Sequence, residues 1–235
     1  MRAVFDLAKL VDVVLEVRDA RIPEATAVVE LHKALKQKPR IVLLNKADLA
    51  SPAATRRWVT SLGRRGVRAL SGIGTRAESL RPLRAALLSA ERKRVRVRIA
   101  VVGAPNTGKS SVINALLRRK RAVAENRPGI TRHVKWLALD KSAELLDTPG
   151  VLQPRIDPRV AWKLALCSVV PERAFDVEDV VAHFVAWLSV QPDGRGMRGV
   201  VGERDAFPDA ARILKAFRSG KLGRMSLEDP ALDDA

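Results

Sequence analysis

One stretch of the sequence, GAPNTGKS, has the residue types and spacing of a phosphate-binding loop. It lies between a run of residues typical of a buried strand and a run typical of a helix, as such loops require. Its glycines let backbone N–H groups turn towards phosphates, Lys109 can reach the terminal phosphates, and the Ser110 hydroxyl is a ligand for Mg²⁺. We therefore expect nucleotide binding by the following residues of this stretch: Asn106, Thr107, Gly108, Lys109, Ser110 and Ser111.

A second stretch, NKAD at residues 45–48, has the chemistry to select one base. The Asp48 carboxylate can accept hydrogen bonds from both N1–H and N2–H₂ of guanine, and the apolar stem of Lys46 can pack on the ring. Adenine does not offer that pair of donors. The motif therefore predicts guanine binding by Asn45, Lys46, Ala47 and Asp48, although by itself it is equally consistent with a polar loop after a strand.

Three further motifs have the residues needed around the γ-phosphate and the base. DTPG would place Asp147 near Mg²⁺, through a water molecule, and the Gly150 N–H near the γ-phosphate. RPGITR would supply the Thr131 hydroxyl as a Mg²⁺ ligand. SGIG would present backbone N–H groups, from Ser71 and Gly72, to the guanine oxygen. Individually, each motif is equally well explained as a structural turn.

The segments that must position these motifs alternate in type along the first two thirds of the chain. Short Val-, Ile- and Leu-rich runs such as RIVLLN are typical of strands buried in a parallel sheet, and TAVVELHKALKQK has helical spacing. HVKWLALD and SAELLDT are predicted to pair as strands. From about residue 160 the segments are helical, so we predict domains at 1–158 and 159–235, divided near the prolines of QPRIDPR.

Composition limits the class of partner. The 43 Lys and Arg residues against 26 Asp and Glu give a net charge of +17, which favours a polyanion such as RNA, with a merely solvated basic surface as the alternative. No run approaches the roughly 18 apolar residues of a membrane span, and no signal-peptide cleavage pattern is present. We expect a cytoplasmic monomer that does not bind membranes. The single cysteine, Cys167, is expected to be a small buried side chain.

Basic residues near the C-terminal end form the candidate RNA surface. Arg212, Lys215 and Arg218 are spaced to lie close to one face of a helix, and Lys221 and Arg224 follow it. Because the chain has four Trp and no Tyr, the contacts expected are to phosphate and RNA shape rather than to stacked bases.

The motifs occur in the order NKAD, SGIG, GAPNTGKS, RPGIT and DTPG, whereas Ras-type GTPases have the phosphate loop first. Cutting a Ras-like domain before its fourth strand and joining its original ends would give this order without moving any site residue in space, since chain termini often lie close together. The predicted fold class is therefore α/β: a circularly permuted Ras-like P-loop GTPase domain followed by a small all-helical C-terminal domain.

In this order the sequence resembles the ribosome biogenesis GTPase A family of circularly permuted GTPases. The resemblance covers nearly the whole chain and rests on LVDVVLEVRDARIP, NKADL, GAPNTGKSS, RPGITR, LLDTPGVL and FRSGKLGRMSLEDP. It implies a GTPase, using GTP, GDP and Mg²⁺, that docks on a late precursor of the large ribosomal subunit and contacts its rRNA and ribosomal proteins. It also implies activation by K⁺ bound through Asn106.

No catalytic residue is assigned from the sequence. Val151 stands where Ras-like enzymes place the glutamine that orients water, so GTP hydrolysis should be slow until ribosomal particles stimulate it. His133 is more readily explained as a solvated loop residue than as a substitute, and His32 and His183 are expected to be structural. The alternative function is an RNA-binding assembly factor that holds guanine nucleotide without efficient hydrolysis.

Overall fold

The structure is a computed structural model that describes residues 10–29, 38–90, 96–117, 135–148, 156–191 and 209–230. Within these ranges the strands are β1 (Val13–Asp19), β2 (Arg40–Asn45), β3 (Arg68–Ser71), β4 (Val97–Val102), β5 (Lys135–Asp140) and β6 (Ala143–Asp147). The α-helices are α1 (Pro52–Arg64), α2 (Arg81–Ser89), α3 (Lys109–Leu117), α4 (Pro158–Leu166), α5 (Val177–Ser189) and α6 (Ala210–Arg218). Short 3₁₀ turns occupy Ala77–Leu80 and Glu172–Ala174.

The described strands form one sheet in the order β3-β2-β1-β4-β6-β5. β5 and β6 pair with each other, as predicted, and their pairing is antiparallel, whereas the other neighbours are parallel. In the register of this sheet, Asp19 lies opposite Asn45 and Glu16 lies opposite Val102. The carboxyl ends of β1, β2 and β4 therefore meet at one edge, where ligands commonly bind in open α/β sheets.

Both faces of the sheet are covered. Leu15, Leu43 and Val101 belong to a core cluster that includes residues of α2 and α3. Val42 packs with Trp58 of α1 in a separate cluster on the other face. Because parallel strands covered on both sides bury every side chain, their sequences are nearly continuous apolar runs.

The central strand β1 nevertheless contains a buried ion pair. Glu16 accepts hydrogen bonds from Nε of Arg18 at 3.0 Å and Nη2 at 3.2 Å, and from the Val28 N–H at 3.0 Å. Arg18 also donates to the Pro23 carbonyl at 3.2 Å. Arg40 also lies 3.6 Å from Glu16. Removing the Arg18 charge would still take away two direct hydrogen bonds of a buried carboxylate, which is strongly destabilising. The pair ties the chain that follows β1 back onto the sheet.

The helices α4, α5 and α6 pack around Phe184 and Phe217, whose rings meet edge to face with centroids 5.2 Å apart. Their cluster also includes Ile22, after β1, and Ala104, after β4. The helical region is therefore docked against the edge of the sheet at which the strands end. None of the described helices is long and apolar enough to cross a membrane.

Two helix boundaries differ from the sequence pattern. The segment AESLRPLRAALLSA has helical spacing, but it forms a 3₁₀ turn followed by α2, because Pro82 has no N–H to continue a helix through it. The segment VAWKLALCSVV also has helical spacing, but the helix ends at Leu166, since Ser168 adopts a φ of 65° that is not helical. Most of TAVVELHKALKQK lies outside the described residues.

Candidate nucleotide-binding site

Asn45 joins the loops that follow β2, β3 and β4. Its side chain is buried, with 2% of its surface exposed. Nδ2 donates to the Thr107 carbonyl at 2.7 Å, and Oδ1 accepts a hydrogen bond from the Gly74 N–H at 2.7 Å. The structure therefore brings NKAD, the SGIG region and GAPNTGKS to one place.

Lys46 makes a second connection between these loops. It has a φ of 60°, a left-handed conformation that few residues other than glycine adopt. From this position Nζ donates to the Asn106 carbonyl at 2.7 Å and to the Asp19 carboxylate at 2.9 Å. The loop that would read the base is thus hydrogen-bonded to the loop that would bind the phosphates.

Asp19 and Arg21 form a buried ion pair at the end of β1 that the sequence motifs did not assign to the site. Nε and Nη2 of Arg21 donate to Asp19 at 2.9 Å and 2.8 Å. Burial by itself would raise the pKa of the Asp19 carboxyl, but the charges and hydrogen bonds of Arg21 and Lys46 outweigh it and lower that pKa. The sequence signal that could have identified them is a pair of opposite charges, Asp19 and Arg21, at the end of a buried strand. This carboxylate fixes the position of Lys46.

The phosphate loop is closely packed on the strands beneath it. A Cβ atom at Gly103 would lie 2.3 Å from the Val17 carbonyl oxygen, and one at Gly108, which has a φ of 94°, would lie 2.3 Å from Nδ2 of Asn45. Side chains at these positions would push the loop away from β1 or from Asn45. The loop therefore needs glycine where its sequence provides it.

Lys109 begins α3 and is 8% exposed. Its Nζ donates to the carbonyls of Gly103 and Ala104 at 3.1 Å and 2.9 Å. The first turn of a helix also has backbone N–H groups without intrahelical partners, which suit an anion. This arrangement fits a phosphate chain above the loop, with the ammonium group transferring from carbonyls to phosphate oxygens.

A cavity of about 320 Å³ lies beside the phosphate loop. Lys46 and Asp48 form part of its lining, together with Gly74 and Gly108. The volume is at the lower end of the range typical of small-molecule sites. With a carboxylate among its lining residues, the cavity has the chemistry to hold a base that offers adjacent N–H donors.

The helical region supplies another part of this lining, through Cys167, Ser168 and Arg218. Nδ2 of Asn106 donates to the Ser168 carbonyl at 2.7 Å, which connects the phosphate loop to the end of α4. Cys167 is fully buried, as expected, and burial raises the pKa of its thiol to about 12. A thiol with this pKa is not a nucleophile near neutral pH.

The expectation for Gly72 is wrong. β3 extends to Ser71, and the Gly72 N–H continues the strand pairing by donating to the Leu44 carbonyl at 3.0 Å. That N–H is therefore not presented to a base. The residues of this loop that line the cavity come slightly later, and they are Ile73, Gly74 and Thr75.

The predicted Mg²⁺ ligands are only partly described. Ser110 is exposed at the start of α3, Asp147 ends β6, and Thr131 lies outside the described residues. Among the described residues, no group of three or more His, Cys, Asp or Glu side chains could hold a metal ion. Gly150 and Val151 also lie outside the described ranges, as do His32 and His133.

His183 is exposed on α5 and has structural partners. Its Nδ1 lies 2.8 Å from the Asp179 carbonyl oxygen, and its ring stacks on that of Trp162 with centroids 6.4 Å apart. His183 is not among the residues that line the cavity, so its role on α5 is structural.

The candidate RNA residues fall into two groups. Arg212, Lys215 and Lys221 are exposed. The other two, Arg218 and Arg224, have hydrogen-bond partners within the chain. Arg218 donates to the carbonyls of Ala165 at 2.9 Å and Leu166 at 3.1 Å and pairs with Glu172, whereas Arg224 donates to those of Ala47 at 2.7 Å and Ala50 at 3.1 Å.

Comparison with known proteins agrees with this geometry. Residues 98–193 match the family described as 50S ribosome-binding GTPase. Ribosome biogenesis GTPase A of Priestia megaterium is 30% identical, over 98% of this chain and 93% of that protein. The Thermotoga maritima protein of the same name is 34% identical, over 97% and 90%.

Two solved structures are also similar. GDP-bound TM YlqF has a TM-score of 0.72 and 29% identity, covering 98% of this chain and 100% of that one. GNP-bound YlqF from T. maritima has a TM-score of 0.70 and 29% identity, covering 97% of each chain. Together with the relatives that match over almost their full length, these likenesses confirm the resemblance seen in the motifs: the chain belongs to the ribosome biogenesis GTPase A family.

Proposed function

We propose that this protein binds GTP and GDP, hydrolyses GTP, and acts in the late assembly of the large ribosomal subunit. The observation that carries the proposal is the convergence of NKAD and the phosphate loop on one cavity, through the two hydrogen bonds of Asn45. The names of the relatives support the role in ribosome biogenesis. The second candidate, an assembly factor with little turnover, is favoured by the apolar Val151 after DTPG.

We infer that the GTPase domain is a circularly permuted Ras-like domain, and that residues 159–235 form a small helical domain. The strand that carries NKAD precedes the strand that carries the phosphate loop, yet both lie near the centre of one sheet. The match to the 50S ribosome-binding GTPase family begins at residue 98, in β4, where an unpermuted domain would begin. The chain then leaves the sheet after β6, next to the DTPG motif.

In this proposal each loop has one task. Asp48 accepts the two guanine donors, the stem of Lys46 packs on the base, and Lys109 exchanges its carbonyl partners for phosphate oxygens. Ser110, with Thr131 and through water Asp147, would hold Mg²⁺, which would neutralise charge on the phosphates.

Co-sedimentation with large ribosomal subunits, in the presence of a GTP analogue, of GDP and of no nucleotide, tests the assembly role. Binding that is equal in all three states, or absent, would count against it.

Potassium is expected to accelerate turnover. The amide nitrogen of Asn106 donates to the Ser168 carbonyl, which orients the amide and leaves its oxygen available for a cation beside the phosphates. A further positive charge there would stabilise the charge that develops during phosphoryl transfer. We expect single-turnover hydrolysis to be about 10- to 100-fold faster in K⁺ than in Na⁺, and Asn106→Ala to remove the difference.

The matched control for this experiment is Asn114→Ala, at an exposed position on α3. That variant should keep the difference between the ions. Equal rates in K⁺ and Na⁺ for the unmodified protein would contradict the role of potassium. If large subunits also fail to raise the rate, the non-hydrolysing assembly factor becomes the better description.

A basic groove on α1 is a second candidate surface for RNA phosphates. It encloses about 410 Å³ and is lined by Arg56, Arg57 and Arg64, which recur along one side of the helix. Arg57 pairs with Asp229, whereas Arg56 and Arg64 have no ion-pair partner among the described residues. This groove is separate from the nucleotide cavity, whose lining does not include these arginines.

Two charge-reversal variants test the RNA surfaces separately. Arg212→Glu with Lys215→Glu alters α6, and Arg56→Glu with Arg64→Glu alters the α1 groove. Each pair is expected to weaken binding to large subunits by about 10- to 100-fold near physiological salt and to flatten its salt dependence, because phosphate contacts release counterions. GTP affinity should be unchanged, and a parallel loss of GTP binding would show instead that the altered side chains support folding.

A further inference from the structure

The segment after α6 returns to the GTPase sheet, and we call residues 223–228 the strap. The Leu227 N–H donates to the Arg21 carbonyl at 2.8 Å, and Nε1 of Trp58 donates to the Glu228 carbonyl at 3.1 Å. Leu227 is 3% exposed. The strap therefore contacts the loop after β1 and the helix α1, although it follows the helical region in the chain.

The strap binds the backbone of the base-reading loop at four points. They are Nη2 of Arg224 to the Ala47 carbonyl at 2.7 Å, Nε of Arg224 to the Ala50 carbonyl at 3.1 Å, the Met225 N–H to the Leu49 carbonyl at 3.0 Å, and the Ser51 N–H to Oγ of Ser226 at 3.2 Å. Asp48 lies between these contacts. The backbone on both sides of that carboxylate is thus bound by residues that come about 175 positions later.

The end of the strap is anchored independently. The Glu228 carboxylate accepts hydrogen bonds from the N–H groups of Glu24 at 2.7 Å and Ala25 at 3.3 Å, and Lys163 lies 3.7 Å from it. Burial raises the pKa of Glu228, while the Lys163 charge and the two N–H donors oppose that change. The position of Arg224 is therefore set by a segment held at both ends, by α6 and by Glu228.

We propose that Arg224 is a positioning residue for guanine recognition. Its guanidinium connects the carbonyls of Ala47 and Ala50, and so fixes the backbone from which the Asp48 side chain extends. A lysine amine in its place would not present the same rigid fork to two acceptors. Arg224 does not line the cavity, so it acts through Asp48. The proposal rests on the guanine-binding function proposed above.

Inosine diphosphate tests this role because it differs from GDP in lacking the 2-amino group. It offers Asp48 one donor where GDP offers two, so the ratio of the two affinities reports how well the carboxylate is placed. The unmodified protein should bind GDP about 10- to 100-fold more tightly. Arg224→Ala should reduce that ratio at least about fivefold, mostly by weakening GDP binding, and Arg224→Lys should give an intermediate ratio.

Arg159→Ala is the matched control, because it removes an exposed arginine ion pair, with Asp157, and leaves the contacts of Arg224 in place. This variant should keep the ratio of the unmodified protein. Equal weakening of GDP and inosine diphosphate in Arg224→Ala would overturn the proposal, since it would indicate general loss of structure. Should that variant not fold, an unchanged ratio in Arg224→Lys would overturn it equally. Failure of the proposed guanine-binding function gives a different result from failure of the role of Arg224. In the first case the unmodified protein itself would not prefer GDP to ADP.

Discussion

Asp48→Asn is expected to change the base preference of the site from guanine to xanthine nucleotides. The carboxylate of Asp48, in the lining of the cavity, is the group proposed to accept the N1–H and N2–H₂ donors of guanine. An amide at this position faces one of those donors with its own NH₂ group. Losing a charge-assisted pair of hydrogen bonds costs a few kcal/mol, which is about 100- to 1000-fold in affinity. Xanthine has a carbonyl at position 2 and accepts from the amide.

The measurement is displacement of a fluorescent guanine nucleotide by GDP, xanthosine diphosphate and ADP. For the variant, the xanthosine nucleotide should compete better than GDP. Asp179→Asn, at an exposed position on α5, is a control of the same chemistry and should leave all three affinities unchanged. If the unmodified protein binds ADP more tightly than GDP, NKAD is not the motif that recognises the base.

Local sequence patterns located much of the sheet. β2 has the predicted bounds, Arg40–Asn45, because its apolar run is closed by a proline before it and by polar residues after it. The turn residues of GAPNTGKS likewise specified a loop between β4 and α3. Such signals are strong where the determinant of structure is within the segment itself: a buried strand, a glycine with positive φ, or a helix start.

Contacts between distant segments were not predictable in this way. Arg218 has the spacing of an exposed basic face, and Arg224 lies in the basic segment after it. Both nevertheless donate to carbonyl groups, Arg218 to those of Ala165 and Leu166 and Arg224 to those of Ala47 and Ala50. No local period encodes a contact with residues more than 170 positions away. The Ser168 carbonyl, just after α4, was likewise not predictable as the partner of Asn106, because that contact depends on how the helical region docks.

The hydrogen bonds of Asn45 connect two loops, so Asn45→Ala is expected to lower both stability and nucleotide affinity. The substitution leaves the Thr107 carbonyl and the Gly74 N–H without their partner at a position that is 2% exposed. Each such buried group costs about 1–3 kcal/mol. Since domains are stable by only about 5–15 kcal/mol, the melting temperature should fall by several degrees or more.

The decisive measurement is the rise in melting temperature that saturating GDP produces, because stabilisation by a ligand depends on its affinity for the native state. This rise should be large for the unmodified protein and small for Asn45→Ala. Asn114→Ala, at an exposed position on α3, should behave like the unmodified protein. A full rise in Asn45→Ala would mean that Lys46, through its bond to the Asn106 carbonyl, is sufficient to hold the loops together.

Asn45→Asp separates the two bonds. A carboxylate can still accept from the Gly74 N–H but cannot donate to the Thr107 carbonyl, and it also brings a negative charge beside the phosphate loop. If its loss of GDP affinity is as large as that of the alanine variant, the connection to the phosphate loop accounts for most of the effect. If the loss of GDP affinity is small, the connection to Gly74 accounts for most of the effect. Asn45 would then matter more for the base-binding side of the cavity than for its phosphate-binding side.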